Sequence, residues 1–165
     1  MKIPAILMNA AIIALASTTY PAVAQDVLTE KQVSLGLAQE IATAAIAECR
    51  KNNYHIAVTV VDRAGRIKVA LRDDGGNPHL VEASRRKALT AAAFRAPSGA
   101  FAERVRNPAS AALTTINGVI ALQGGLPIKA GNEVIGAVGV GGAAGGDKDE
   151  ACAQAGIQKV ADKLH

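Results

Sequence analysis

Apolar positions recur every three to four residues in three long stretches of the chain and alternate in shorter stretches between them. Val33, Leu37, Ile41 and Ala45, widened by Ala38, Ala42 and Ile46, draw one stripe down a helix. Thr29 stands at the cap, Gln32 at the reciprocal capping position, and Asn52-Asn53 stops the run, so a helix is predicted from Thr29 to about Lys51. Ile56 to Asp62 is apolar on both alternating faces, as a strand covered from two sides requires. A turn at Asp62-Arg63-Ala64-Gly65 leads into Arg66 to Arg72. There Ile67, Val69 and Leu71 alternate with Arg66, Lys68, Ala70 and Arg72. The two runs read as a β-hairpin whose second strand shows a charged face.

Asn77 as cap and Pro78 at the first helical position open a helix predicted to reach about Phe94. Pro97-Ser98 breaks it, and a short helix from Gly99 to Arg106 ends before Pro108. Val119 to Leu122, Leu126 to Lys129 and Glu133 to Val140 read as three strands, separated by turns at Gly124-Gly125 and Gly131-Asn132. The glycine-rich run from Gly139 to Gly146 leads to Asp147 as a cap, with Asp149 and Glu150 placed well for the helix dipole. Ala153, Ile157, Val160 and Leu164 stripe the last helix. The order α-ββ-α(α)-βββ-α, with tight turns between consecutive strands, predicts antiparallel pairing and an α+β fold.

The first 24 residues break this pattern. Met1-Lys2 is a short positive end, Ile3 to Ala16 is almost wholly apolar, and Ala22-Val23-Ala24 is a small-x-small cleavage site. Pro4 and Asn9 interrupt a stretch already short for a membrane span. Residues 1–24 are therefore expected to be a signal peptide, and 25–165 one domain without repeat or linker. The expected location is periplasmic or secreted, with no membrane attachment after cleavage. Export also changes how Cys49 and Cys152 read, because an oxidising compartment permits them to pair. They fall at one level if the first and last helices pack antiparallel. A disulfide and two buried thiols both remain open.

Half the residues are hydrophobic, yet only Tyr20, Tyr54, Phe94 and Phe101 are aromatic, and tryptophan is absent. The core must be built from Ala, Val, Ile and Leu. So few rings exclude a base-stacking surface for single-stranded nucleic acid. The net charge of +4 is spread without a dense basic run, so no nucleic-acid partner is expected.

Gly139-Val140-Gly141-Gly142-Ala143-Ala144 has the spacing of a dinucleotide loop. The parallel strand and the acidic residue about 20 positions on that such a loop requires are missing. A phosphate loop fails as well, because Gly146 precedes Asp147 rather than lysine. The glycines from Gly136 to Gly146 let backbone pass close to a ligand or to a neighbouring helix, and both stay open. The stretch from Arg72 to Phe94 holds the better candidates. His79 opens a helix beside a loop rich in Asp and Gly and shares a face with Glu82. Its imidazole could hold iron, move protons, or simply be solvated. Arg85, Arg86 and Lys87 are consecutive, so one or two could meet ligand carboxylates. His55 reads as structural and His165 as a terminal residue.

Val58-Thr59-Val60-Val61-Asp62-Arg63-Ala64-Gly65 and Ser84-Arg85-Arg86-Lys87-Ala88-Leu89-Thr90-Ala91-Ala92-Ala93-Phe94 resemble segments of the GlcG/HbpS family. So do Gly124-Gly125-Leu126-Pro127-Ile128, Gly136-Ala137-Val138-Gly139-Val140-Gly141-Gly142 and Asp149-Glu150-Ala151-Cys152-Ala153-Gln154-Ala155-Gly156. These are small haem-binding-type proteins whose domain also ends some corrinoid adenosyltransferases. The resemblance implies a five-stranded antiparallel sheet flanked by helices, assembly into homo-oligomers, and haem binding in exported members. Some of those work beside a sensor kinase, so a sensor or transport partner is implied. Gly141-Gly142 stands where many members carry a serine before the glycine.

The expected ligand, a tetrapyrrole or another small molecule, lies in an apolar slot near the helix from Pro78 to Phe94. The helix supplies Arg85, Arg86, Lys87, Thr90 and Phe94, the glycine loop Gly139, Gly141 and Gly142, and His79 is the expected axial ligand. The chain reads first as a carrier, buffer or sensory accessory for haem. The rival reading is a small enzyme that binds a carboxylate metabolite through Lys87 or an arginine and moves a proton with His79 or Asp74.

Overall fold

β1 (Ala57–Asp62) lies in the middle of the sheet, and its alternating residues decide what covers each side. The computed structural model describes residues 27–165, so the predicted signal peptide lies outside the described residues. β1 pairs with β2 (Ile67–Arg72) and with β4 (Glu133–Gly141), and β4 pairs with β3 (Gly125–Ala130). All pairs are antiparallel, in the order β2-β1-β4-β3. Val58 stands opposite Val140 and Val60 opposite Val138. With Ile56, Leu126 and Ile128 they form the larger core, beneath α1 (Leu35–Arg50) and α4 (Gly146–Gln158).

The other face carries smaller residues. Thr59 stands opposite Gly139 and Val61 opposite Ala137, and α2 (His79–Phe94) covers them with Ala88, Ala91 and Ala92. A Cβ at Gly139 would lie 2.1 Å from the Ser84 carbonyl oxygen, and one at Gly125 would lie 2.2 Å from that of Lys87. Helix backbone therefore rests directly on strand backbone. Two hydroxyls buried in this layer pair with each other, Thr59 Oγ1 and Ser84 Oγ being 2.8 Å apart. Gly139→Ala is expected to cost about 1–3 kcal/mol, because α2 must lift to admit the methyl group. Gly36→Ala, in α1 with no atom within 4 Å of the new Cβ, should gain up to about 1 kcal/mol. Urea unfolding of both variants measures the contrast, and equal midpoints would mean that α2 does not rest on the sheet this way.

α1 and α4 run antiparallel. Cys49 is bonded to Cys152 with 5.6 Å between Cα atoms, which settles the open cysteine question in favour of a disulfide. Further along, Gly156 lies against Ile41 and Ala45, and Lys163 Nζ reaches both Glu40 oxygens at 2.8 and 2.7 Å. No helix among the described residues is long and apolar enough to cross a membrane.

Four expectations need correction. The sheet has four strands rather than five, because residues 119–122 are coil. Side chains claim their backbone: Arg86 donates to the Val119 carbonyl, Thr90 Oγ1 accepts from Ile120 N, and Ser98 Oγ donates to the Leu122 carbonyl. α1 begins at Leu35 with Ser34 as its cap, not at Thr29. Val33 belongs to the sheet side instead, its N–H donating to the Ile135 carbonyl and its side chain over Gly136. β2 buries only Val69, leaving Ile67 and Leu71 exposed at the sheet edge. α4 starts at Gly146 after a Gly145 cap, so Asp147 sits inside the first turn. α3 (Ser98–Arg104) and a 3-10 stretch (Pro108–Thr115) complete the connection between α2 and β3.

Candidate functional site

Antiparallel pairing brings the start of β1, the end of β2 and the end of β4 to one end of the sheet, where α2 also begins. This end is made largely of backbone. Gly75, Gly76 and Gly142 all pack against His55, and Leu80 in the first turn of α2 reaches Gly142. Gly75 and Gly142 have φ of 78° and 125°, conformations that a side chain would strain. The Asp73 N–H donates to the Ile56 carbonyl, which extends the hairpin by one bond and sets Asp73 beside His55.

Asp73 is the anchor of this region. Its carboxylate is almost fully buried and accepts from Arg50 Nε with both oxygens at 3.0 Å, while Arg50 Nη2 holds Oδ1 as well. The Asp74 N–H donates to Oδ1 at 2.9 Å, and His55 Nδ1 lies 3.4 Å from Oδ2. The Arg50 hydrogen bond, with its charge, holds the Asp73 carboxyl below the usual carboxylate range against the opposing effect of burial. Arg72 Nη1 donates to the Gly76 carbonyl and fixes the loop that follows. The result is an exposed imidazole with a permanent anion behind one nitrogen and two guanidinium groups nearby.

The residues singled out from the sequence are divided by the fold. His79 is exposed at the start of α2, at this same end of the sheet, and so is the half-buried Leu80 beside it. Gly142 belongs here too. Arg85 is paired with Glu82 at 2.7 Å, and Arg86 is spent on the Val119 carbonyl. Lys87 is buried, its Nζ 2.6 Å from Asp149 Oδ2. Thr90 donates to the Arg86 carbonyl, and Phe94 stacks on Phe101 with ring centres 4.4 Å apart. Gly139 and Gly141 both face α2, and at Gly139 the helix backbone accounts for the glycine, whereas a Cβ at Gly141 would make only ordinary contacts. Asp74 is exposed. The inner face of α2 is thus filled by protein atoms, and only its first turn faces the glycine-rich end. Arg50, His55 and Asp73 were missed as a group. The hairpin register was the signal that could have found them, because it sets residue 56 against residue 73.

A concavity of about 930 Å³ runs between α1 and α4 on the outer surface. Thr43, Ala44, Ala47 and Ala155 form its floor, and Lys51 and Lys159 stand among its charged residues. It contains no imidazole or sulfur donor. No group of three or more metal-ligating side chains occurs among the described residues.

Similar proteins share this architecture. Protein GlcG of Escherichia coli strain K12 is 35% identical over 108 residues, covering 63% of this chain and 80% of GlcG. The crystal structure of a double mutant of Streptomyces reticuli HbpS superposes with a TM-score of 0.78 at 34% identity. It covers 87% of this chain and 97% of that one. A Klebsiella pneumoniae protein, ORFY, superposes with a TM-score of 0.80 at 26% identity, over 85% of this chain and 98% of that one. The sequence model of the family described as "Haem degrading protein HbpS-like" matches residues 33–158. Through that match, which spans both cores and the glycine-rich end, the chain belongs to the HbpS-like family.

Proposed function

We propose that this chain is an exported haem-binding protein, a carrier, buffer or sensory accessory, and that it takes the macrocycle at the glycine-rich end of the sheet. The family description is one support. The observation that carries the reading is the donor set at that end. Two exposed imidazoles, His55 and His79, share it with Arg50 and Arg72 and with backbone that carries no side chains. Haem requires an axial donor, an apolar contact and cations for its propionates. The imidazoles fit the first requirement, Leu80 beside Gly142 the second, and Arg72 the third. When bound, haem would supply its iron as the redox or ligand-binding centre. The chain's own residues orient it, neutralise its carboxylates and limit access of water.

The site lies at the exposed first turn of α2, where a second copy of the chain would supply the opposite wall. That agrees with a homo-oligomer. The rival reading, a small enzyme that binds a carboxylate through Lys87 or an arginine and moves a proton with His79 or Asp74, keeps only its arginine route, because the Lys87 ammonium is already matched by Asp149.

Mature protein recovered from the periplasm, beginning at Gln25, should shift the Soret band of hemin in a saturable titration. Native mass measurement should report a whole-number haem stoichiometry. Unchanged spectra at micromolar hemin would remove this reading.

A further inference from the structure

The two histidines at the glycine-rich end are not equivalent. His79 is exposed, and no hydrogen bond or ion pair among the described residues holds its ring. His55 is exposed too, with its side chain 56% accessible, but its ring has neighbours on two sides. On one side Gly75 brings backbone against it, with the missing Cβ position 3.6 Å from Cγ and 3.7 Å from Nδ1. On the other, Nδ1 faces Asp73 Oδ2 at 3.4 Å. Asp73 cannot turn away, because Arg50 binds both of its oxygens and the Asp74 N–H binds one.

A carboxylate beside Nδ1 does two things to an imidazole. It selects the tautomer that carries the proton on Nδ1, so the lone pair is on Nε2. It also fixes the direction of that lone pair. Arg50 binds both Asp73 oxygens, so the carboxylate stays aimed at Nδ1. Histidines that bind metals show this pattern of carboxylate, imidazole and metal.

We infer that His55 Nε2 is the axial nitrogen donor to haem iron, with Asp73 and Arg50 as its positioning residues and His79 outside the first coordination sphere. The inference rests on the haem-binding reading and makes it specific. It assigns to His55 the role that sequence reasoning gave to His79, and it turns the Arg50–Asp73 pair from a structural contact into part of the site. Gly75, held at φ 78°, also keeps the loop beside the ring free of a side chain that a flat macrocycle would have to pass.

The test compares His55→Ala, His79→Ala and Asp73→Asn with the wild-type mature chain, each titrated with ferric hemin. Absorption and electron paramagnetic resonance spectra are the readout, and a thermal unfolding profile shows that each variant is folded. Wild type and His79→Ala should give the same nitrogen-ligated spectrum. His55→Ala should lose it and bind hemin at least about tenfold more weakly, and free imidazole should restore the spectrum. Asp73→Asn should keep the ligand but weaken binding by about 10–100-fold. Hemin bound by His55→Ala with an unchanged spectrum would overturn the assignment and leave haem binding itself standing. Loss of the spectrum in His79→Ala alone would do the same. Failure of the wild type to bind hemin would overturn both.

Discussion

Lys87→Met is expected to destabilise the protein by about 3–5 kcal/mol near neutral pH, because it strands a carboxylate inside the fold. The side chains of Lys87 and Asp149 are 6% and 5% exposed, and their charged atoms are 2.6 Å apart. Asp149 Oδ1 is also taken, by the Ala143 N–H at 2.9 Å. Burial pushes the Asp149 carboxyl above its usual range, and the Lys87 hydrogen bond and charge pull it partly back. Methionine removes the second influence and keeps the first. A carboxyl whose pKa is higher in the folded than in the unfolded state makes the folded state bind more protons between the two values. Stability then falls as pH rises through that window, and the loss disappears below the unfolded value. Lys87→Met widens the window upward, so the gap to wild type should be largest near pH 7 and shrink toward about pH 4. Replacing both partners, as in Lys87→Met with Asp149→Leu, should recover much of the loss, since an apolar pair leaves no charge unmatched. Urea unfolding at several pH values decides the matter: a deficit that does not vary with pH would show that shape, rather than charge, is what Lys87 contributes.

This buried pair also shows what can be read from the linear chain. The apolar period placed Lys87 on the second helix, and its consecutive cations suggested a surface for anions. The anion proved to be Asp149, 62 residues away and read as a dipole-favouring residue in the first turn of the last helix. Nothing local to either residue signals the other, because the contact depends on how α2 and α4 meet the start of β3 at Gly124. The same limit explains the lost fifth strand. Residues 119–122 carry a strand-like run, but Arg86, Thr90 and Ser98 lie far away in sequence and take over the backbone groups that a strand would have used.

Local patterns fared better where the constraint was local. The two-faced apolar run of β1 specified a central strand, and the tight turns specified antiparallel pairing. Pro78 and Pro97-Ser98 marked the limits of α2 to within a residue or two. The glycine-rich run was ambiguous because one composition serves two needs. Gly139 makes room for a helix, whereas Gly142 belongs to the exposed sheet end. The setting of His55 was hidden for a related reason. Its partner Asp73 is 18 positions on, and only the hairpin register makes them neighbours, so a lone histidine before a strand carried no sign of the carboxylate behind it.

The second large effect is expected from the link between α1 and α4. Cys49 and Cys152 are 103 residues apart in sequence, and their bond closes a loop containing the whole sheet and α2. In the chain-entropy treatment, a loop of about 100 residues removes enough freedom from the unfolded chain to stabilise the fold by about 4.7 kcal/mol. The native side adds little to the effect of reduction, because both sulfurs sit in a packed layer with Ile41, Ala45 and Ala153 that two thiols would also fill. Reduction should therefore lower the urea midpoint without changing the folded spectrum, and the loss should approach a third or more of the stability typical of a domain this size. The Cys49→Ala, Cys152→Ala double variant should be at least as destabilised, since it also removes buried sulfur, and it should not respond to reductant. Unfolding curves of wild type with and without reductant, beside those of the variant, separate the two contributions. A wild-type midpoint that ignores reductant, with free thiols confirmed in the unfolded state, would mean that the antiparallel packing of α1 on α4 holds the fold unaided.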